Sequence, residues 1–141
     1  MHIREVSWNS SEETLIAIRT EVFVKEQGVP RDLEIDGLDQ TSYHFLATTS
    51  QGEDVGTARL LETGQIGRMA VLEPHRGSGI GRQLLECAVA KALQLNFAEI
   101  FLHAQTHALD FYSRNGFEVY GEEFDDAGIP HRAMRYNRSP N

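Results

Sequence analysis

A glycine-rich segment at residues 76–81, with the sequence Arg-Gly-Ser-Gly-Ile-Gly, constrains the fold of this chain more than any other feature. It precedes an amphipathic helix predicted over residues 80–96, whose apolar side chains recur at helical spacing: Ile80, Leu84, Leu85, Ala88, Val89, Ala92 and Leu93. Glycines allow a tight turn and leave backbone N–H groups unobstructed, and a helix begins with positive dipole charge. The segment therefore predicts a strand–loop–helix unit with a seat for phosphate oxygens. The glycines alone fit an ordinary turn into a helix equally well.

Two well-known phosphate-binding loops do not fit this segment. A P-loop requires Gly-Lys followed by Ser or Thr, whereas Gly81 is followed by Arg82 and Gln83. A dinucleotide-binding loop requires the spacing G-x-G-x-x-G in a βαβ unit, and here the third glycine comes one residue early. A phosphate seat at this place would be of another class, in which Arg76 and Arg82 can add charge-assisted contacts.

The rest of the chain predicts a sheet flanked by helices. Strands are expected at residues 3–8, 42–49, 54–61, 65–72, 98–104, 117–124 and 131–136, and helices at residues 12–27, 80–96 and 106–115, with one further helical turn within residues 31–40. Ser10 or Ser11 is expected to cap the first helix. The order predicts an α/β (α+β) fold, namely a mixed, mainly antiparallel, twisted sheet of six to seven strands with about four helices, in a single domain over residues 1–141.

Composition narrows the class of protein. Apolar residues make up 40% and charged residues 24% of the chain, as in a soluble globular domain, and no apolar run approaches the ~20 residues of a membrane helix. The N-terminus lacks a basic and an apolar region, and the single cysteine, Cys87, excludes an internal disulfide. We therefore expect a cytoplasmic protein without a membrane partner.

The distribution of charge suggests what the protein binds. The net charge of −8 argues against a nucleic-acid partner. Residues 12–54 carry most of the acidic excess, whereas Arg68, Arg76 and Arg82 form a basic island with Glu73 as its only carboxylate. The island favours an anionic ligand and the acidic stretch a cationic one, although most of these carboxylates are expected to be solvated surface charge.

A second motif follows at residues 108–117, with the sequence Ala-Leu-Asp-Phe-Tyr-Ser-Arg-Asn-Gly-Phe. Ala108, Phe111 and Asn115 share one helical face, and Gly116 supplies a left-handed stop. Taken alone, Tyr112 in this motif is best explained as an aromatic that packs the helix on the sheet.

Together the two motifs resemble the GNAT superfamily of N-acetyltransferases. The matching residues are 70–81 and, after the next strand, 108–117, and the predicted order of elements agrees over nearly the whole chain. Residues 21–27, 34–36 and 128–131 resemble the small bacterial ElaA/YjcF-like branch. The resemblance implies a GNAT-like acyl-CoA N-acyltransferase fold.

The resemblance also implies acetyl-CoA as co-substrate. Family members bind its pyrophosphate on the loop and its pantetheine arm along the preceding strand, which here gives Met69, Ala70 and Val71 for the arm and Arg76, Gly77, Ser78, Gly79, Ile80, Gly81 and Arg82 for the pyrophosphate. The backbone N–H near Val71 would stabilise the oxyanion, and Tyr112 corresponds to the tyrosine that protonates the departing thiolate. Gln105 stands where many members have Asn, and its longer amide is expected to make the same pantetheine contact.

The resemblance does not assign the general base that takes a proton from the acceptor amine. Some members carry a carboxylate on the strand before the loop, and residues 65–71 contain none. The candidates are a water chain or one of Glu26, Glu34, Asp36, His44, His103 and His131. No metal is expected, because the pair His103 and His107 spans a strand and a helix start rather than one helical face.

The leading hypothesis is an acetyl-CoA-dependent N-acetyltransferase that acts by direct transfer to an amine in a ternary complex. The acceptor is expected to be a small-molecule amine or a protein amine, cationic before it loses its proton, and attracted by Glu26, Glu34 and Asp36. Two alternatives keep the fold: a non-catalytic CoA-binding regulatory module, and an acyltransferase that uses a bulkier acyl-CoA. A homodimer is compatible with the sequence.

Overall fold

The computed structural model describes residues 1–137, and its centre is one seven-stranded sheet with the order β1-β2-β3-β4-β5-β7-β6. The strands are β1 (His2–Val6), β2 (Tyr43–Thr48), β3 (Asp54–Leu60), β4 (Gln65–Val71), β5 (Phe101–Gln105), β6 (Phe117–Asp126) and β7 (Ile129–Tyr136). Neighbouring strands are antiparallel except β4 and β5, which are parallel. The predicted mixed, mainly antiparallel sheet is confirmed.

Four α-helices flank the sheet: α1 (Trp8–Arg19), α2 (Arg31–Glu34), α3 (Ile80–Gln94) and α4 (Leu109–Arg114). The predicted start of the first helix is wrong by four residues. Ser7 is the N-cap, and its hydroxyl accepts from the backbone N–H of Ser10 at 3.3 Å. The predicted helix also changes geometry, because α1 continues into a π-helical segment at Thr20–Glu26.

The main hydrophobic core lies between the sheet and α3. Six apolar residues of the predicted stripe are buried: Ile80, Leu84, Leu85, Ala88, Val89 and Ala92. Leu93, which the stripe also included, is 42% exposed near the end of the helix. On the opposite face, Leu15, Ile18 and Val22 form a second cluster with Leu46 and Ala70. The two packed faces fix the sheet between α3 and α1.

Within residues 1–137, none of the helices combines the length and the apolar character that crossing a membrane requires.

Candidate active site

The sheet opens where its two parallel strands separate. β4 and β5 are paired only at Gln65 with Phe101 and at Ile66 with Leu102. Both strands continue beyond that point without pairing to each other. A cleft of about 500 Å³ lies over this split, between β4, β5, the β6–β7 hairpin and residues 23–38. Backbone groups that a neighbouring strand would pair are thus left for a ligand.

A β-bulge in β4 marks the start of the split. Gly67 and Ala70 of β4 lie opposite Arg59 and Thr57 of β3, so two residues of β4 face the single residue Ala58. Arg68, the first of the two, has a left-handed φ of 48°. A bulge bends its strand and redirects side chains, and here it turns Met69 toward the cleft.

The backbone N–H of Val71 is free on the side of the split. The N–H of Leu72 donates to the carbonyl of Val55 at 2.9 Å, so this pair of residues is hydrogen-bonded across the antiparallel ladder. Val71 and Gly56 form the next pair, which by alternation is not hydrogen-bonded. The N–H of Val71 therefore points away from β3, into the gap between β4 and β5.

The glycine-rich loop has the conformation that a phosphate seat requires. Gly77 and Gly79 have left-handed φ values of 83° and 88°, and a Cβ at either position would meet nothing within 4 Å. Gly79 is the N-cap of α3 and supplies no side-chain acceptor, and the first helical bond runs from the N–H of Gln83 to the carbonyl of Gly79. The first N–H groups of α3 are thus available to an anion.

The two arginines of this loop differ. Arg76 makes a bidentate ion pair with Glu26, at 2.7 and 3.0 Å, and its Nε donates to the carbonyl of Val71 at 2.8 Å. Arg82 is exposed and has no ion pair among the described residues. The structure thus holds Arg76 beside the cleft, on a carboxylate of the π-helical segment.

Tyr112 lies at the other side of the split. Its hydroxyl is 3.7 Å from the sulfur of Met69, and its ring contacts Phe111 and Phe117 edge-on at 5.0 and 6.2 Å between centroids. Burial raises the pKa of Tyr112 to about 12. The side chain of Tyr112 is half-buried and lies against β4, the strand that carries Val71. Because its pKa is raised, the phenol is protonated at neutral pH.

Gln105 lies at the end of β5 with both ends of its amide engaged. Its Nε2 donates to Oε1 of Gln27 at 2.9 Å, and its Oε1 is 2.6 Å from Nε2 of His107. Gln27 follows Glu26 directly, so adjacent residues of one segment reach β5 on one side of the split and Arg76 on the other. We call residues 26 and 27 the strap.

A buried network of three arginines and three carboxylates lies beside the cleft and was not predicted. Arg19 bonds to Glu34 and Asp39 at 2.7 and 2.8 Å, Arg59 to Asp36 and Asp39 at 2.8 and 3.0 Å, and Arg68 to Glu34 and Asp36 at 2.9 and 3.1 Å. The sequence did contain a signal, because Arg19 falls four residues after Leu15 on the apolar face of α1. Arg59 likewise interrupts an apolar strand.

The three carboxylates that were predicted to attract a cationic acceptor are all ion-paired within the protein. Glu26 pairs with Arg76, and Glu34 and Asp36 belong to the network. Each of the three carboxylates is thus neutralised by an arginine. Burial raises the pKa of Asp36, but hydrogen bonds from Arg59 and Leu38 and the charges of Arg59 and Arg68 lower it to about 2 overall. A carboxylate of this pKa is a poor base.

The three candidate histidines lie in two places. His44 is 1% exposed beneath Trp8, at 5.0 Å between ring centroids, and its Nε2 bonds to the carbonyl of Asp39 at 2.8 Å. His103 and His131 both line the cleft. Burial, followed by the charge of His131, lowers the pKa of His103, and Asp126 opposes this shift.

Comparisons with known proteins identify the family of this chain. The family model described as "Acetyltransferase (GNAT) domain" matches residues 8–138. The protein named "Uncharacterized N-acetyltransferase YjcF" of Bacillus subtilis is 39% identical over 121 residues, which cover 83% of this chain and 86% of that protein.

Solved structures give the same answer. ElaA of Escherichia coli has a TM-score of 0.86 at 30% identity and covers 97% of this chain and 100% of its own. An acyl-CoA N-acyltransferase of Pseudomonas aeruginosa has a TM-score of 0.85 at 33% identity and covers 96% and 99%. The predicted likeness to the ElaA/YjcF branch is confirmed. The chain belongs to the GNAT family of acetyltransferases.

Proposed function

We propose that this protein transfers an acetyl group from acetyl-CoA directly to a primary amine within a ternary complex. One observation carries the proposal: the unpaired part of β4 brings together the free N–H of Val71, the hydroxyl of Tyr112 at 3.7 Å from the sulfur of Met69, and Arg76 at the start of the glycine loop, whose Nε donates to the carbonyl of Val71. A protein that only bound CoA would need the loop and the strand but would have no need of a proton donor.

The residues around the split fit an acyl-CoA. The loop from Gly77 to Gly81 and the first N–H groups of α3 suit the pyrophosphate, because they combine backbone donors with positive dipole charge. The unpaired edge of β4 at residues 69–71 suits the pantetheine arm, whose amides would pair with it as a strand would. Gln105 can contact the arm after its bond to Gln27 opens.

The chemistry then follows from two groups. The N–H of Val71 points into the split, where it can stabilise the oxyanion that forms when the amine adds to the thioester carbonyl. As the carbon–sulfur bond breaks, its electron pair goes to sulfur, which takes the proton of Tyr112. The raised pKa of Tyr112, about 12, keeps that proton available at neutral pH.

Direct transfer is favoured over an acyl-enzyme. The single thiol, Cys87, packs against the main core from α3, and burial followed by the charge of Glu86 raises its pKa. A thiol with a raised pKa is a weak nucleophile, and this one does not line the cleft.

The proposal is tested by release of free CoA from acetyl-CoA in the presence of four amines: spermidine, glucosamine, kanamycin and a short peptide with a free N-terminus. Mass spectrometry of the amine identifies the acetylated product, and calorimetry compares the binding of acetyl-CoA and succinyl-CoA. Transfer to at least one amine is expected. Binding of acetyl-CoA without transfer to any of them would favour a regulatory module, and tighter binding of succinyl-CoA than of acetyl-CoA would favour a bulkier donor.

A further inference from the structure

The candidates for the general base are reduced by their partners. Glu26, Glu34 and Asp36 are ion-paired with arginines, and His44 lies beneath Trp8 with its Nε2 on the carbonyl of Asp39. A base that takes a proton from an incoming amine must have a free lone pair in the cleft. Among the side chains proposed from the sequence, this leaves the two histidines of β5 and β7.

His131 is one of the residues of β7 that line the cleft. It lies directly opposite Gln105 of β5 and Phe124 of β6, and residues directly opposite in antiparallel strands point to the same face of a sheet. Its ring stacks on that of Phe124 at 5.9 Å between centroids. The side chain is thus held on the same face as Gln105, the residue expected to contact the pantetheine arm.

A backbone contact fixes the tautomer of this ring. Nδ1 of His131 is 2.7 Å from the carbonyl oxygen of Ile129. A carbonyl can only accept, so Nδ1 carries the proton and donates it, and in the neutral ring the lone pair is on Nε2. The bond spans two residues of one strand and orients the imidazole.

Nε2 of His131 is neither hydrogen-bonded to a described residue nor completely buried. The residue as a whole is only 8% exposed. Its Nε2 has no hydrogen-bond partner among the described residues, and this atom retains some accessible surface. His131 itself lines the cleft. A lone pair that is oriented, without a partner and accessible from the cleft is what a general base requires.

The geometry points to His131 as the general base of the proposed acetyl transfer, an inference that rests on the proposed function. Nε2 takes one proton from the acceptor ammonium, directly or through one water. The neutral amine then adds to the thioester carbon, the carbon–sulfur bond breaks, and sulfur takes the proton of Tyr112. The new amide nitrogen then gives up its second proton, which reaches the Tyr112 phenolate through solvent and restores the phenol. His131 releases its own proton to bulk water.

Other titratable groups face His131 from the elements that pack on β7. These are His103 on β5, Asp126 at the end of β6 and His107 in the short turn before α4. His103 is the competing candidate. Its Nδ1 is 3.5 Å from Nε2 of Gln65, and its orientation lacks the short backbone bond that holds His131.

The test uses variants that separate the two ring nitrogens. In His131→Asn the amide N–H replaces Nδ1 as donor to the carbonyl of Ile129, and the base is lost. We expect kcat to fall by about 10²–10⁴-fold, with the acetyl-CoA dissociation constant changed by less than about tenfold. His103→Asn is expected to lower kcat by less than about threefold. His2→Asn, on the exposed edge strand β1, is the control.

Chemical rescue separates a base from a structural side chain. In His131→Ala, added imidazole is expected to raise kcat by about tenfold or more, and it should leave His131→Asn and the wild type unchanged. The probe amine is whichever of spermidine, glucosamine, kanamycin and the peptide gives the fastest CoA release with the wild type.

Two outcomes would overturn this assignment while leaving the proposed function intact: full kcat in His131→Asn, or a larger loss in His103→Asn than in His131→Asn. Failure of imidazole to rescue a folded His131→Ala would also count against it. A wild type that acetylates none of the four amines would overturn the proposed function and this assignment together. Nitrogen NMR that placed the proton of neutral His131 on Nε2 would contradict the premise independently of activity.

Discussion

At the scale of single residues, the hydroxyl of Tyr112 is the group on which the proposed chemistry depends most. Its only described polar contact is the sulfur of Met69 at 3.7 Å, and its ring is held by Phe111 and Phe117. In Tyr112→Phe the ring contacts persist, so packing and cofactor affinity should change little. We expect kcat to fall by about 10²–10⁴-fold, nearer the lower value because water can donate in place of the phenol, with the acetyl-CoA dissociation constant within about tenfold.

The pH dependence of the wild type gives a second check on Tyr112. Burial raises its pKa to about 12, so the acid form persists well above the pH at which an ordinary phenol would be half ionised. Under conditions where chemistry limits turnover, kcat should show no loss from Tyr112 up to about pH 10. A fall by half near pH 10 that is absent from Tyr112→Phe would contradict this expectation.

Gly79 tests the phosphate seat, because it is the N-cap of α3 and has a φ of 88°. In Gly79→Asp a carboxylate would stand where the pyrophosphate is expected and would repel it. We expect acetyl-CoA binding to be nearly abolished while the fold survives, as measured by calorimetry and circular dichroism.

Gly79→Asn is the matched control for the phosphate seat. Asparagine has nearly the size of aspartate and, like it, tolerates the left-handed region, but it carries no charge. It should bind acetyl-CoA more tightly than Gly79→Asp. Equal affinities for the two variants would mean that the loop is not beside the pyrophosphate.

At the scale of elements, the strap connects the π-helical segment to both sides of the split. Glu26 holds Arg76 at 2.7 Å, whereas the sequence assigned Arg76 to the pyrophosphate. Both groups are partly exposed, and such pairs contribute about 0–1 kcal/mol. Because the ion pair with Glu26 contributes so little, Arg76 can leave it and bind a phosphate of acetyl-CoA instead.

Glu26→Gln is therefore expected to strengthen acetyl-CoA binding by up to about fivefold, because Arg76 no longer has to leave a carboxylate. Arg76→Ala should weaken binding by about 1–3 kcal/mol, the value of a charge-assisted contact. In the Arg76→Ala background the Glu26→Gln change should have no effect. Calorimetry on the two single variants and the double variant measures all three, and tighter binding that persisted in the double variant would exclude this explanation.

The elements differ in how well the sequence predicted them. The α3 stripe and the glycine loop were predicted because their patterns are local, namely apolar spacing along a helix and glycines that precede it. The bulge at Arg68 and Met69 was not, since it depends on the register of β4 against β3, a long-range property. The start of α1 was missed because Ser7, Ser10 and Ser11 are all competent caps.

The candidate site was predicted unevenly for the same reason. The loop and Tyr112 belong to contiguous motifs, so the sequence could name them as candidates, and the structure adds that the hydroxyl of Tyr112 lies 3.7 Å from the sulfur of Met69 on β4. The partners of the acidic residues come from β3 and β4, far along the chain, and net charge alone could not reveal them. The accessible Nε2 of His131 likewise depends on one hydrogen bond that no spacing shows.

At the scale of the whole molecule, the buried network joins α1, β3, the bulge in β4 and residues 34–39 across one wall of the cleft. Its three arginines balance its three carboxylates, so the group is neutral as a set. Burial of any member alone would leave an uncompensated charge. The network therefore ties Arg68, at the bulge in β4, to α1 and β3 through the carboxylates of residues 34–39.

The network also predicts how stability depends on acid. Burial raises the pKa of Asp36 and Asp39, but hydrogen bonds and the charges of their arginine partners outweigh it, and both pKa values are lowered overall, that of Asp36 to about 2. A lowered pKa in the folded state contributes stability that is complete above the ordinary value near 4 and is lost as the pH falls toward 2. Urea unfolding between pH 5 and pH 2 should show this loss.

Asp39→Asn tests the network directly, because it removes one charge and keeps nearly the same shape. Asp39 accepts from Arg19 at 2.8 Å and from Arg59 at 3.0 Å, and all three side chains are at most 7% exposed. Arg19 keeps Glu34 and Arg59 keeps Asp36, but the network then holds one positive charge more than it has carboxylates. An uncompensated buried charge typically costs about 3–5 kcal/mol of unfolding free energy. Glu21→Gln is the control, since its pair with Lys25 is exposed and should contribute about 0–1 kcal/mol. Urea unfolding at pH 7 measures both. The Asp39→Asn variant should also lose less stability than the wild type as the pH falls below the ordinary pKa of an aspartate, because the carboxylate of Asp39, whose pKa is lowered in the folded state, is gone. Equal losses at pH 7 in the two variants would show that the network contributes no more than surface charge.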